Sequence, residues 1–262
     1  MYFLLVTAAV LGLVIGSFLT VVIHRVPAGQ SLLWPGSHCP NCDTQVRNRH
    51  NVPVFGWLAL RGRCSGCGLR ISIRYPLIEL TTCLAFVAVT ATLQRTGQLE
   101  LLPAWLYFTA MAVALAVIDL DCYRLPNAIV LPSYPVLAVL LVAGAVWQRD
   151  YSGMVRAIIG CAALFMLYFA IAFLYPEGMG FGDVKLAGLV GGMLACLSYP
   201  ALLVGGFGAF VLGGIAGIAV ILSARGSRKT ALPFGPFMLS AAILALFVAQ
   251  PMVNTYRQLT GV

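Results

Sequence analysis

The stretch Leu101-Leu-Pro-Ala-Trp-Leu-Tyr-Phe-Thr-Ala-Met-Ala-Val-Ala-Leu-Ala-Val-Ile-Asp119-Leu-Asp121 decides how this chain folds. Residues 101–118 carry no charge, a run long enough for a helix to cross a bilayer. It ends on a carboxylate. An ionisable side chain at such a place is costly and is read first as functional. A second apolar segment starts on the same residue type, in Gly178-Met-Gly180-Phe-Gly182-Asp183-Val-Lys185. Two aspartates at one depth can share a proton and activate a water between them. That chemistry is an aspartyl protease's, placed inside a membrane.

Outward from these two stretches the pattern repeats. Of 262 residues, 61% are hydrophobic and 9% charged, against about 25% charged in a soluble domain. Eight apolar spans are expected, at roughly 2–23, 76–94, 101–120, 126–147, 153–174, 183–199, 201–223 and 233–253. The fold class is therefore an all-α polytopic membrane protein. The first span has no positive n-region and is read as a retained helix, not a cleaved signal peptide. Pro132 and Pro135 fall inside the fourth span and should bend it. Gly205, Gly206, Gly208, Gly213, Gly214 and Gly217 crowd the seventh, and small residues let membrane helices approach closely.

The formal net charge is +8, but it is divided between alternate loops. Arg25, Arg47, Arg49, Arg61, Arg63, Arg70, Arg74, Arg124, Lys185, Arg225, Arg228 and Lys229 fall on one side, and Arg95, Arg149, Arg156 and Arg257 on the other. The first side is expected to be cytoplasmic, with both termini outside. Asp119 and Asp183 then both lie near the cytoplasmic face. No basic stripe with interleaved aromatics is present, so membrane lipid and not nucleic acid is the expected surrounding.

Residues 24–75 form the one long polar insertion. They hold Cys39-Pro-Asn-Cys42 and Cys64-Ser-Gly-Cys67, with 21 residues between the pairs. Two such knuckles close a four-thiolate structural zinc site. His38 and His50 are competing ligands of lower rank. Cys83, Cys122, Cys161 and Cys196 are scattered in or beside apolar segments and read as small hydrophobes. The expected division is residues 1–23, a first membrane helix; 24–75, a cytoplasmic zinc-binding insertion; and 76–262, a seven-helix protease core.

A single interfacial aspartate would be read as a helix cap or as a partner of Arg124 or Lys185. Asp121 keeps that reading, as a supporting residue. Gly178, Gly180 and Gly182, just before Asp183, are expected to permit tight backbone geometry and the close approach of a peptide substrate. Lys185 is a candidate charge partner for Asp183, although positions i and i+2 of a helix point apart. Glu177 is a candidate support for the glycine loop. The alternative from another class is a proton-coupled transporter using the paired aspartates. It would tend to show repeated halves, and the halves here are unlike. A zinc protease would need a motif such as HExxH, which His24, His38 and His50 do not form.

These residues resemble the type IV prepilin leader peptidase family, the GxGD aspartyl proteases of type IV pilus and type II secretion systems. The likeness includes Gly16-Ser-Phe-Leu-Thr-Val-Val-Ile-His-Arg25-Val-Pro27, both CxxC pairs, Asn51 to Trp57, Ile71 to Leu80, Ile118-Asp119 through Asn127, Gly178 to Leu186, and Pro233-Phe-Gly-Pro236. The resemblance implies that Asp119 and Asp183 are catalytic and that the leader of prepilins or pseudopilins is cut at the cytoplasmic face of the inner membrane. It also implies methylation of the new N-terminus by S-adenosylmethionine, with no donor-binding residue identified. Thr20, where the family usually has Asn, and Arg47-Asn-Arg-His50 depart from the pattern. Both lie in or beside the insertion.

Overall fold

The structure is a computed structural model. It describes residues 2–39, 41–47, 50–223 and 232–260, the side chains of 250 and 253–260 excepted. Arg49, Arg225, Arg228 and Lys229 of the charge count lie outside the described residues. Among the described residues there is no strand, only two isolated β-bridges. Nine α-helices follow in order among them: α1 Tyr2–Arg25, α2 Phe55–Ala59, α3 Arg74–Thr96, α4 Leu102–Cys122, α5 Asn127–Gln148, α6 Ser152–Leu174, α7 Phe181–Leu197, α8 Tyr199–Leu222 and α9 Gly235–Thr260. All but α2 correspond to the eight expected spans.

Six of these, α1, α3, α4 with the turn before it, α5, α6 and α8, are long and apolar enough to cross a membrane. The chain is a multi-pass membrane protein. The helix α7 has 17 residues, about 25 Å of rise, less than the ~30 Å of a hydrocarbon core. Its wall is protein: Val184 and every residue from Leu186 to Cys196 are buried. For α9 the apolar stretch is Gly235–Ala249, and the helix runs on through Pro251 to Thr260, past the expected boundary. Pro132 and Pro135 both sit inside a continuous α5.

The chain divides into two compact units, Met1–Arg95 and Thr96–Val262. In the first, α1 meets α3 backbone to backbone. A Cβ on Gly12 would stand 2.7 Å from Cys83 Cα, and one on Gly16 2.7 Å from Glu79 Cα. Spaced four apart, these glycines let the helices approach as membrane helices do. Glu79 is buried and accepts a 2.6 Å hydrogen bond from Val54 N. Val54 has φ 61, a costly conformation for a β-branched residue. The carboxylate thus ties the strained turn before α2 to α3.

In the second unit α7 is the buried axis. It crosses α6 where Gly160 faces Gly191; a Cβ on Gly160 would come 2.5 Å from Gly191 O. Tyr134 of α5 donates to Lys185 O at 2.6 Å, and Gly188 leaves room for that hydroxyl. At the far end Arg156 of α6 donates to Ala195 O and Cys196 O, at 3.3 and 3.1 Å, satisfying carbonyls that a helix end leaves free. The α8 glycines split in their use. Gly205 packs on Leu194 and Ala245, Gly206 on Leu164, Gly208 on Ala241 and Gly213 on Phe234, while Gly214 meets nothing within 4 Å.

Candidate active site

The helix α4 ends just beyond Asp119, because Tyr123 turns left-handed (φ 53, ψ 39) and its N–H closes on Asp119 O. The carboxylate therefore sits in the last turn, and it is 4% exposed. Asp183 sits in the first turn of α7, its N–H bonded to Gly180 O at 3.0 Å. Sixty-four positions apart in sequence, the two aspartates line one cavity of about 310 Å³. Tyr123, Pro176, Glu177, Gly178, Met179, Gly180, Leu232, Pro233 and Phe234 complete the wall. Such a wall offers two carboxylates, a backbone loop and apolar surface to an extended peptide.

One contact at the site has no counterpart in the sequence reading. Gly235 N donates to Asp119 Oδ2 at 3.1 Å, so the start of α9 orients the buried carboxylate. A Cβ on Gly235 would lie 2.6 Å from that oxygen, so no other residue fits unless the carboxylate moves. The signal was a glycine set between Phe234 and Pro236 in the Pro233-Phe-Gly-Pro236 stretch, read only as part of the resemblance. Phe234 and Tyr123, both on the cavity wall, were likewise not singled out.

The supporting residues divide. Glu177 and Gly180 line the cavity. Gly180 has φ −74 and ψ 147, open to any residue, and a Cβ there would be 3.6 Å from Asp183 Oδ2. Gly182 lies close to Leu125: a Cβ would stand 3.3 Å from Leu125 Cβ, so that side chain would have to give by a few tenths of an ångström. Lys185 turns away from the pair. Its Nζ donates to Asn127 Oδ1 at 3.0 Å and lies 5.0 Å from the Phe181 ring centre. Asp121 is exposed and off the cavity wall.

The first unit carries a different centre. Cys39, Cys42, Cys64 and Cys67 place their Sγ atoms within 4.8 Å of one another. Cys39 to Cys67 is 3.8 Å and Cys42 to Cys64 is 3.9 Å. A tetrahedron with ~2.3 Å metal–sulfur bonds has edges of about 3.8 Å, so the donor set fits four-coordinate zinc. The knuckles repeat one geometry 25 positions apart. Cys39 N bonds to Thr44 O and Cys64 N to Leu69 O; Asp43 and Gly68 both have positive φ; His38 pairs with Gln45 and Arg63 with Arg70. Neither His38 nor His50 joins the cluster. Thr44 side-chain and backbone hydrogen bonds pull the Cys42 thiol down to about 6, while its neighbour Cys39 is pushed up to about 11.

Residues 10–93 match the bacterial peptidase A24 N-terminal domain, and residues 106–222 match the type IV leader peptidase family. A prepilin leader peptidase/N-methyltransferase of Aeromonas hydrophila is 35% identical over 275 residues, 93% of this chain and 90% of the relative. The protein of that name in Bacillus subtilis is 31% identical, over 94% of this chain and 95% of the relative. A type 4 prepilin-like proteins leader peptide-processing enzyme of Escherichia coli is 34% identical over 93% of each. No solved structure matches the chain. These names give the transporter alternative no support. With the match running through both units, the chain belongs to the type IV leader peptidase family.

Proposed function

We propose that this chain is an aspartyl endopeptidase of the bacterial inner membrane that removes the leader of type IV prepilins and pseudopilins at the cytoplasmic face, with Asp119 and Asp183 as catalytic residues. The observation that carries the reading is the meeting of the two carboxylates on one cavity wall. One carboxylate takes a proton from water as the water oxygen attacks the scissile carbonyl carbon. The other donates its proton to the carbonyl oxygen. The tetrahedral diol collapses as one of its hydroxyls returns a proton to the carboxylate that had protonated the carbonyl oxygen, the C–N bond breaks, and the leaving amine takes the proton first removed from water. The Gly235 N–H holds Asp119 for these transfers. No covalent enzyme intermediate is required.

The four-cysteine centre has a separate role in this reading. Zinc held by Cys39, Cys42, Cys64 and Cys67 would have all four positions filled by thiolates, which makes it structural. It would fold the insertion, and the chemistry at the aspartates would proceed without it. Methylation of the new N-terminal amine by S-adenosylmethionine is the second activity, supported by the names of the relatives. We assign no residue to the methyl donor. Both termini outside, and the insertion with the aspartates facing the cytoplasm, follow from the arginine distribution.

The test is mass analysis of a model prepilin after incubation with the purified chain, with and without S-adenosylmethionine. The reading expects loss of the leader in both cases and one added methyl group only with the donor. An intact prepilin, with wild-type chain folded and zinc-loaded, would overturn it.

A further inference from the structure

Tyr168 of α6 is 0% exposed, and its hydroxyl has no hydrogen-bond partner among the described residues. A buried unpaired hydroxyl costs free energy that phenylalanine would not, so the group calls for an explanation. Its ring is held by two others, with centroids 5.4 Å away at Phe210 and 6.0 Å away at Phe234. Phe234 is also a wall of the aspartate cavity.

The register of α6 against α7 places the phenol. Gly160 faces Gly191, Leu164 Cβ is 2.9 Å from the Cβ position of Gly191, and Phe165 Cδ2 is 3.5 Å from that of Gly188. The helices run antiparallel, so one further turn sets Tyr168 opposite residues 183–185. Asp183 is the one carboxylate in that stretch of α7. Other donors nearby are committed. Tyr134 gives its hydroxyl to Lys185 O, Lys185 gives its ammonium to Asn127, and Gly235 N serves Asp119. Glu177 and Tyr123, the remaining titratable groups on the wall, stand with the exposed residues.

We propose that Tyr168 is a positioning residue for the carboxylate pair, its hydroxyl donating to Asp183, directly or across one water, when substrate is engaged. The proposal rests on the peptidase reading. A hydrogen bond to the carboxylate that is stronger in the transition state than in the bound ground state acts on kcat and not on KM.

Tyr168→Phe removes the oxygen and keeps the three-ring packing. It is compared with wild type and Asp183→Asn on one model prepilin, with rates normalised to folded protein. The expected result is kcat lower by roughly 10- to 100-fold with KM unchanged, and a thermal midpoint no lower than wild type. A kcat equal to wild type would make the phenol a core filler and overturn the proposal. So would a raised KM with kcat intact. If wild type itself does not cleave, the peptidase reading fails; if wild type cleaves and Tyr168→Phe matches it, this inference alone fails.

Discussion

The four-cysteine centre and the aspartate pair are closed in opposite ways. Each knuckle is built within eight residues, His38 to Gln45 and Arg63 to Arg70, by its own turn hydrogen bonds. Only the pairing of two knuckles is long-range. The aspartate site draws on the end of α4, the loop before α7, the first turn of α7 and the start of α9. Nothing local brings those pieces together; the packing of membrane helices does. A centre made of short turns is expected to depend on its metal, and a centre made of helix ends to depend on close helix packing. The difference predicts what should damage each.

The largest effect is expected from the metal side. Chelation removes the metal, and Cys39→Ser removes one of its four ligands, from a small polar insertion of a kind that often folds only on metal. The expected outcome is loss of bound zinc and rapid proteolysis between residues 24 and 75, with the helices of the second unit still protected. Unchanged metal content in Cys39→Ser would break the four-thiolate assignment.

Second in size is Gly235→Ala. The added Cβ displaces Asp119 Oδ2, and a misplacement of about 1 Å can cost ~100-fold in rate. A fall in kcat of that order, with zinc content untouched, would sharpen the separation of the two centres. A rate equal to wild type would show that Asp119 is not oriented by α9. Third is Glu79→Ala, which leaves Val54 N without its acceptor. Losing that charged partner should cost about 1–3 kcal/mol, read as faster amide exchange at residues 50–60. Unchanged exchange would remove the latch. The smallest effect is expected from Lys185→Ala, since the ammonium is committed to Asn127; cleavage with a kcat close to wild type is the expected outcome. A loss comparable to Asp183→Asn would restore Lys185 to the charge-partner role read from its sequence position.

The two regions also differ in how far their sequence foretold them. The helices were legible because apolar length is local: the expected 126–147 is Asn127–Gln148, and 153–174 is Ser152–Leu174. The last span, expected at 233–253, ends later, because α9 runs on through Pro251 to Thr260. The four cysteines were legible from spacing. The likeness between the knuckles was not, because beyond CxxC they share backbone geometry and not residue type: Asp43 and Gly68 occupy one left-handed position. At the aspartate site the two carboxylates stood out as charges in apolar runs. Gly235 and Tyr168 did not. A glycine at a helix start and a tyrosine in an apolar span look like ordinary punctuation and core until packing sets Gly235 against a carboxylate and buries the Tyr168 hydroxyl without a partner among the described residues.

The central claim is that Asp119 and Asp183 act as one unit. The direct measurement is kcat for prepilin cleavage by wild type, Asp119→Asn, Asp183→Asn and the double variant, all folded and zinc-loaded. Groups that act together are not additive, so the account predicts that each single change abolishes cleavage and the double is no worse. A single variant that retains substantial cleavage, or a double whose loss is the product of two partial losses, would contradict it.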